Sequence, residues 1–275
     1  MLNWIRDRFR RGPVVPVVSL TGVIVAGSRL GARGLSIESV ATTLRRAFNM
    51  RGAKAVALSI NSPGGSPVQS ALIGARIRLH AREKNIPVIA FVEDVAASGG
   101  YWLACAADEI VADPNSIVGS IGVITAGFGF QDLIARIGVE RRMHTSGERK
   151  SMLDPFQPEK EEDVTRLKRL QAEIHDDFKR WVRERRDPKL MGTDGELFSG
   201  EFWTGRRALE LGLIDGLGNL REILQARYGA KVRLPLITPR RALLSRIGIG
   251  SQSQDIGPAT LASVEDRLMW QRYGL

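Results

Sequence analysis

The 275-residue chain is long enough for one large domain, or one domain with a small appendage, and its 43% hydrophobic and 25% charged residues are ordinary for a globular protein. A formal net charge of +10 suits an anionic membrane surface, nucleic acid or acidic partners; no RNA- or DNA-binding signature accompanies it, so nucleic acid is not expected as a partner. The single cysteine, Cys105, excludes an internal disulfide and a cysteine-based metal cluster, and no stretch approaches the roughly 20 apolar residues that a membrane-spanning helix needs.

Along the chain, residues 1–12 form a basic opening segment in which Leu2, Ile5 and Phe9 would share one helical face, with Trp4 at its edge and Arg6, Arg8, Arg10 and Arg11 elsewhere. That pattern fits a weak anchor on a membrane surface, and it fits a frayed terminus equally well, because so short a helix is marginal alone. No secretory signal is expected, since the segment is charged and no apolar run follows. Val14 to Val25 reads as one or two strands broken by Gly22. Ile37 to Phe48 reads as a helix by the spacing of Ile37, Val40, Leu44 and Phe48, with Ser36 as N-cap. Ala53 to Ile60 has the look of a strand buried on both faces, and Asn61-Ser62-Pro63-Gly64-Gly65 ends it sharply.

Pro67 to Arg82 is expected to be a helix with Val68, Leu72, Ala75 and Leu79 on its apolar face. A second buried strand, Pro87 to Val92, leads through a turn into a helix of small residues from about Ser98 to Ala107, and Ile110 to Ala112 is a short strand. Strand–helix–strand units in series imply a mainly parallel α/β sheet with right-handed crossovers. Val164, Leu167, Leu170, Ile174, Phe178 and Trp181 mark a long amphipathic helix; Thr204 to Gly212 and Leu220 to Tyr228 are shorter ones. From about Thr238 the composition turns basic and linker-like, above all at Gly248 to Pro258, before a closing helix over Ala262 to Tyr273. The expected organisation is therefore the segment 1–12, a main domain over 13–237, and a linker with a C-terminal helix over 238–275.

Three segments could carry chemistry. In Ala97-Ser98-Gly99-Gly100 a serine follows a buried strand and starts a helix, whose free N–H groups and positive end would favour a developing oxyanion. A serine N-cap with close helix packing explains the same residues. Gly64 and Gly65, after another strand, would expose backbone N–H groups with little cover, although Pro-Gly-Gly serves many turns. A serine nucleophile also needs a base. His80 and His175 sit in amphipathic helices, where exposure is expected, and His144 is the remaining histidine. The third segment, Thr145-Ser146-Gly147-Glu148-Arg149-Lys150 leading into Asp154-Pro155-Phe156, offers a lysine, which serves if burial lowers its pKa, but the residues alone do not single out Lys150.

Taken together these segments resemble the signal peptide peptidase A (protease IV) family, which uses a Ser-Lys dyad on a Clp-protease/crotonase-like α/β fold of repeated β-β-α units with C-terminal helices. The matching blocks are Asn61 to Gly65, Ala97 to Tyr101, Gly119-Ser120-Ile121-Gly122-Val123, Ser146-Gly147 through Lys150 to Pro155-Phe156, and Thr204 to Asp215, in order between about Val14 and Leu224. The resemblance implies Ser98 as nucleophile, Lys150 as general base and Ser120 as the hydroxyl that helps orient the lysine amine. It places the N–H groups of Gly65, with Gly64, and of Gly99 in the oxyanion hole. It implies no metal or cofactor, peptide substrates such as signal-peptide remnants or other short hydrophobic or membrane-derived peptides, and a ring- or dome-shaped homo-oligomer. The expected location is the cytoplasm, or the cytoplasmic face of a bacterial inner membrane as a peripheral protein. Two competitors remain at this stage: an acyl-CoA-processing crotonase enzyme, which would need an acidic group at the reaction centre, and a catalytically silent scaffold.

Overall fold

The computed structural model describes residues 12–26, 34–147, 149–238 and 267–275. The N-terminal amphipathic segment and the Gly248–Pro258 linker lie outside those residues. The chain divides into two compact units, Met1–Ile121 with Lys179–Leu275, and Gly122–Phe178.

The first unit is built on one sheet. Strands β1 (Val17–Thr21), β2 (Val56–Ser62), β3 (Val88–Ala97), β4 (Glu109–Ala112) and β7 (Gly216–Leu217) lie side by side in that order, and each neighbouring pair is parallel. The second half of β3 leaves β4 and pairs instead with β5 (Ile117–Gly119), and β6 (Phe202–Thr204) adds antiparallel to β5. This is the mainly parallel α/β architecture that the strand–helix–strand order leads one to expect. Parallel strands are covered on both faces, so β2 and the first half of β3 are almost uninterrupted buried apolar runs.

The helix α1 (Ile37–Phe48) starts where expected. Ser36 accepts from the Ser39 N–H and Ser39 Oγ accepts from the Ser36 N–H, a reciprocal capping box. In α2 (Pro67–Lys84) the expected face is wrong. Val68, Leu72 and Leu79 are 65%, 45% and 42% exposed, while Ser70, Ile73, Gly74, Ile77 and Ala81 are buried. The reason is steric: α2 docks through its small residues. An added Cβ on Gly74 would sit 3.4 Å from the Trp102 ring, and one on Gly99 would sit 2.4 Å from Ser70 Oγ. Close approach of helix and turn outweighs the burial of three aliphatic side chains.

After β3 comes the short α3 (Gly99–Ala104), all of it buried. The second unit contains α4 (Gln131–Arg136) and the first part of α5 (Glu161–Arg186). The Leu170 and Ile174 expected on the buried face of α5 are 49% and 37% exposed, whereas Phe178 is buried. The last residues of α5, which belong to the first unit, clamp the back of α3. Trp181 stacks on Trp102 and donates from Nε1 to the Trp102 carbonyl at 3.1 Å, and Arg185 donates to the Cys105 and Ala107 carbonyls at 3.0 Å each. The helices α6 (Asp194–Leu197), α7 (Gly205–Glu210) and α8 (Leu220–Tyr228) follow; Thr204 and Asn219 cap α7 and α8. Of the expected closing helix over Ala262 to Tyr273, residues 267–273 are described; 267–271 are helical, and Arg272 and Tyr273 lie in a turn.

Candidate active site

The end of β3 turns into α3 at Ser98, whose backbone takes φ 52 and ψ −121. A residue with a side chain pays of order 1–3 kcal/mol for such a conformation and keeps it only where its surroundings over-determine it. Here they do. The Ser98 N–H donates to the Gly119 carbonyl at 2.8 Å, and the Ser98 carbonyl accepts from the Trp102 N–H at 3.0 Å. The hydroxyl does not cap α3 and the residue is only half-buried. The plain N-cap explanation of this serine is thereby removed.

Gly64 lies directly against this turn. A Cβ on it would come within 2.7 Å of the Gly99 nitrogen and 2.8 Å of Ser98 Cβ, and its φ of 100 is already in glycine territory. One on Gly65 would strike the Ile24 carbonyl oxygen at 2.1 Å. Hydrogen bonding separates the two glycines. The Gly64 N–H donates to Ser62 Oγ at 3.3 Å, while Ser62 Oγ itself donates to the Gly22 carbonyl at 2.7 Å. Among the described residues the Gly65 and Gly99 N–H groups have no acceptor. Ser62, which fastens this loop, carried no signal in the sequence beyond its place between a strand and two glycines.

The parallel pairing of β3 with β5 ends at Ala97 and Gly119, and the residue after each, Ser98 and Ser120, turns out of the ladder at positive φ. Ser120 also has positive φ, 52, is 7% exposed, and donates its N–H to the Glu201 carbonyl at 2.7 Å. Its Oγ accepts a hydrogen bond of 3.3 Å from the hydroxyl of Tyr273. The sequence marks Tyr273 only as the end of a helix. Trp270 and Tyr273, two aromatics at i and i+3 in a polar tail, were the available signal.

Lys150 belongs to the second unit, in a turn closed by its N–H on the Gly147 carbonyl at 3.2 Å, and is exposed. The segment that follows is firmly held. Asp154 accepts from the Phe156 N–H at 3.1 Å and from Arg141 at 2.9 Å, which together hold its carboxyl below the ordinary range, the backbone donor first. Phe130 packs on Phe156 at 5.7 Å, and the Arg141 guanidinium lies 4.8 Å from the Phe156 ring centre.

The remaining titratable groups have other partners. His80 is half-buried rather than exposed, tilted against Phe48 with Nδ1 at 3.3 Å from Glu83, because α1 covers that side of α2. His175 is half-buried as well, and His144 is exposed. Glu93 accepts from Ser59 and Asp94 from Asn61, so the acids before the turn are engaged away from Ser98. Cys105 is fully buried, and burial pushes its thiol up to about 12, as expected of a packing residue.

The sequence pattern described as Peptidase family S49 matches residues 80–232, more than half of the chain. A Brucella abortus protein described as a Na(+)/H(+) antiporter NhaA is 54% identical over 272 residues, covering 95% of this chain and 37% of that protein. The chloroplastic serine protease SPPA of Arabidopsis thaliana is 35% identical over 202 residues, covering 72% and 29%. A putative signal peptide peptidase of Enterococcus faecium is 31% identical over 191 residues, covering 69% and 54%. The chain thus spans about half or less of the length of these relatives. The antiporter description applies to a protein of which only 37% is matched, and no helix among the described residues is long and apolar enough to cross a membrane.

Proposed function

Because the chain belongs to peptidase family S49, we propose that it is a serine endopeptidase in which Ser98 is the nucleophile and Lys150 the general base. Ser98 Oγ attacks the scissile carbonyl carbon and gives its proton to a neutral Lys150 Nζ; the oxyanion is received by the N–H groups of Gly65 and Gly99. Lys150 then returns the proton to the leaving amine, and water, deprotonated by the now neutral Lys150 Nζ, attacks the acyl carbon and releases Ser98, which recovers its proton from Lys150. Ser120 holds the lysine amine in line. Each oxyanion donor of this kind contributes about 3–4 kcal/mol to the transition state. The lysine works only when its ammonium is desolvated, so the proposed active form covers Lys150, within one chain or across copies in a ring or dome. The substrates proposed are signal-peptide remnants or other short hydrophobic or membrane-derived peptides, met at the cytoplasmic face of a bacterial inner membrane.

One observation carries the reading: a serine held at φ 52 against a glycine that admits no Cβ, with the Gly65 and Gly99 N–H groups without an acceptor among the described residues. The test is labelling by a fluorophosphonate followed by peptide mapping. Label on Ser98, with hydrolysis reduced by about 10³-fold or more in both Ser98→Ala and Lys150→Ala and with wild-type melting curves, is the expected result. A Lys150→Ala variant that turns over normally would move the base elsewhere, with His144 first in line. Light scattering that finds a single 30.2 kDa chain under active conditions would remove the oligomer.

A further inference from the structure

The loop that offers the Gly65 N–H is fastened from two sides. On one side stands Ser62, the last residue of β2, which is fully buried. A hydroxyl has one proton to give and lone pairs to receive with, and Ser62 uses both. Its proton goes to the carbonyl of Gly22, just past β1, at 2.7 Å, and a lone pair takes the Gly64 N–H at 3.3 Å. The Ser62 backbone is fixed as well: a Cβ on Gly100 would strike its carbonyl oxygen at 2.3 Å, so the residue lies against the first turn of α3. On the other side stands Ile24. Its N–H donates to the Gly64 carbonyl and its carbonyl accepts from the Ser66 N–H, both at 2.7 Å.

These ties decide where the Gly65 N–H points. A trans peptide is planar, with its carbonyl and N–H directed oppositely. The Gly64 carbonyl is turned to Ile24, so the Gly65 N–H in the same peptide is turned away from Ile24. Glycines at φ 100 and 136 have little preference of their own for this orientation, and the ties must hold it. We propose that Ser62 is a positioning residue of the oxyanion hole: its hydroxyl, by joining the Gly64 N–H to the Gly22 carbonyl, keeps the Gly65 N–H presented to the oxyanion. The proposal rests on the roles given to Ser98 and Gly65. Ser62 itself does not touch substrate and acts through the Gly64–Gly65 peptide. Without the hydroxyl, Gly64 is held by Ile24 alone and its peptide swings. The swing matters only once negative charge gathers on the carbonyl oxygen, so the loss falls on the transition state and not on substrate binding.

The full chain with Ser62→Ala tests this. Its kcat for a short hydrophobic peptide is expected to fall by about 10- to 10²-fold, with KM changed by less than about twofold. A peptide aldehyde, whose adduct with Ser98 puts an oxygen into the hole, should lose affinity by the same factor. The carboxamide of that peptide, a non-covalent competitor, should bind as it does to the wild type. A loosened fold would weaken both ligands alike, so equal losses for aldehyde and carboxamide overturn the proposal, as does an unchanged kcat. If Ser62→Ala fails to fold, Ser62→Cys keeps a group of similar size with a weaker donor and acceptor; its kcat should fall by about tenfold, and an unchanged value overturns the proposal. Wild-type protein that neither hydrolyses peptides nor takes label at Ser98 removes the peptidase and this role with it. Active wild type beside an equally active Ser62→Ala removes this role and keeps the peptidase.

Discussion

Around Ser98 the backbone is shaped by what its neighbours lack. Gly64 and Gly52 both have positive φ, 100 and 78, but a Cβ on Gly52 would meet nothing within 4 Å, whereas one on Gly64 would meet three backbone or β-carbon atoms of the turn below 3.0 Å. Gly52→Ala should therefore cost only its backbone strain, about 1 kcal/mol, with unchanged hydrolysis. Gly64→Ala adds a collision that only a shift of Ser98 or Gly99 can relieve. If Gly99 serves as proposed, displacing such an oxyanion donor costs about 10²-fold or more in kcat, so kcat/KM should fall by at least that much alongside the melting temperature. Equal kinetics for the two variants would deny Gly64 a part in shaping the proposed nucleophile's turn. Cys105 gives a second test at this scale. Its thiol, pushed up to about 12 by burial, stays protonated at pH 8, so Ellman's reagent should react with the unfolded protein and not with the native one.

At the level of elements, the piece from Thr204 to Asp215 is locked to α5 and β4 through one carboxylate. Asp215 binds Arg186 at 2.7 Å and Lys189 at 2.7 Å and accepts from the Ile110 N–H at 2.8 Å, while Arg186 also donates to the Gly212 carbonyl. Burial by itself pushes the Asp215 carboxyl up; these donors outweigh it and leave it below the ordinary range. A carboxyl depressed in the folded state stabilises above its unfolded pKa, about 4, and that stability is lost as pH falls through the folded value. Asp215→Asn should cost about 3 kcal/mol in urea melts at pH 7, by stranding the buried Arg186, and the gap to wild type should narrow at pH 3. A constant gap would show packing rather than charge. This lock was not legible in the sequence, because Arg186 and Asp215 meet across 29 residues. What was legible rests on local signals: the Ser36 cap, the 3.6-residue spacing of α1, the apolar runs of β2 and β3. The face of α2 departs from its apolar pattern because apolarity alone does not reveal that Ser70 and Gly74 must approach Gly99 and Trp102. Likewise β3 runs on to Ala97, past the expected Val92, because pairing with β5 carries it through the two exposed acids Glu93 and Asp94. Ser98 and the glycines could be picked out by type, while the pairing of Ala97 with Gly119, after which Ser98 and Ser120 both turn, is a matter of tertiary register.

For the whole molecule the distribution of charge matters more than its sum. The net charge of +10 is strongest at the ends: residues 1–11 hold four arginines against one aspartate, and Lys231, Arg233, Arg240, Arg241 and Arg246 follow one another without an acid between them. Basic residues near an anionic bilayer contribute about 1 kcal/mol each at low ionic strength, and that attraction fades within a Debye length of about 10 Å at 0.1 M salt. Removing residues 1–11 also removes the Leu2, Ile5 and Phe9 that could enter the headgroup region. If this segment brings the peptidase to its membrane-derived substrates, its deletion should weaken co-sedimentation with phosphatidylserine vesicles by about 10²-fold. Neutral vesicles should bind neither form well, and 0.5 M salt should release the full chain from anionic ones. Cleavage of a small soluble peptide should be the same with and without the segment, because it contributes no group to the chemistry at Ser98. Undiminished sedimentation of the shortened chain would assign the attraction to the basic stretch after Lys231, and a parallel loss of soluble-peptide cleavage would make the segment part of the catalytic body rather than its tether.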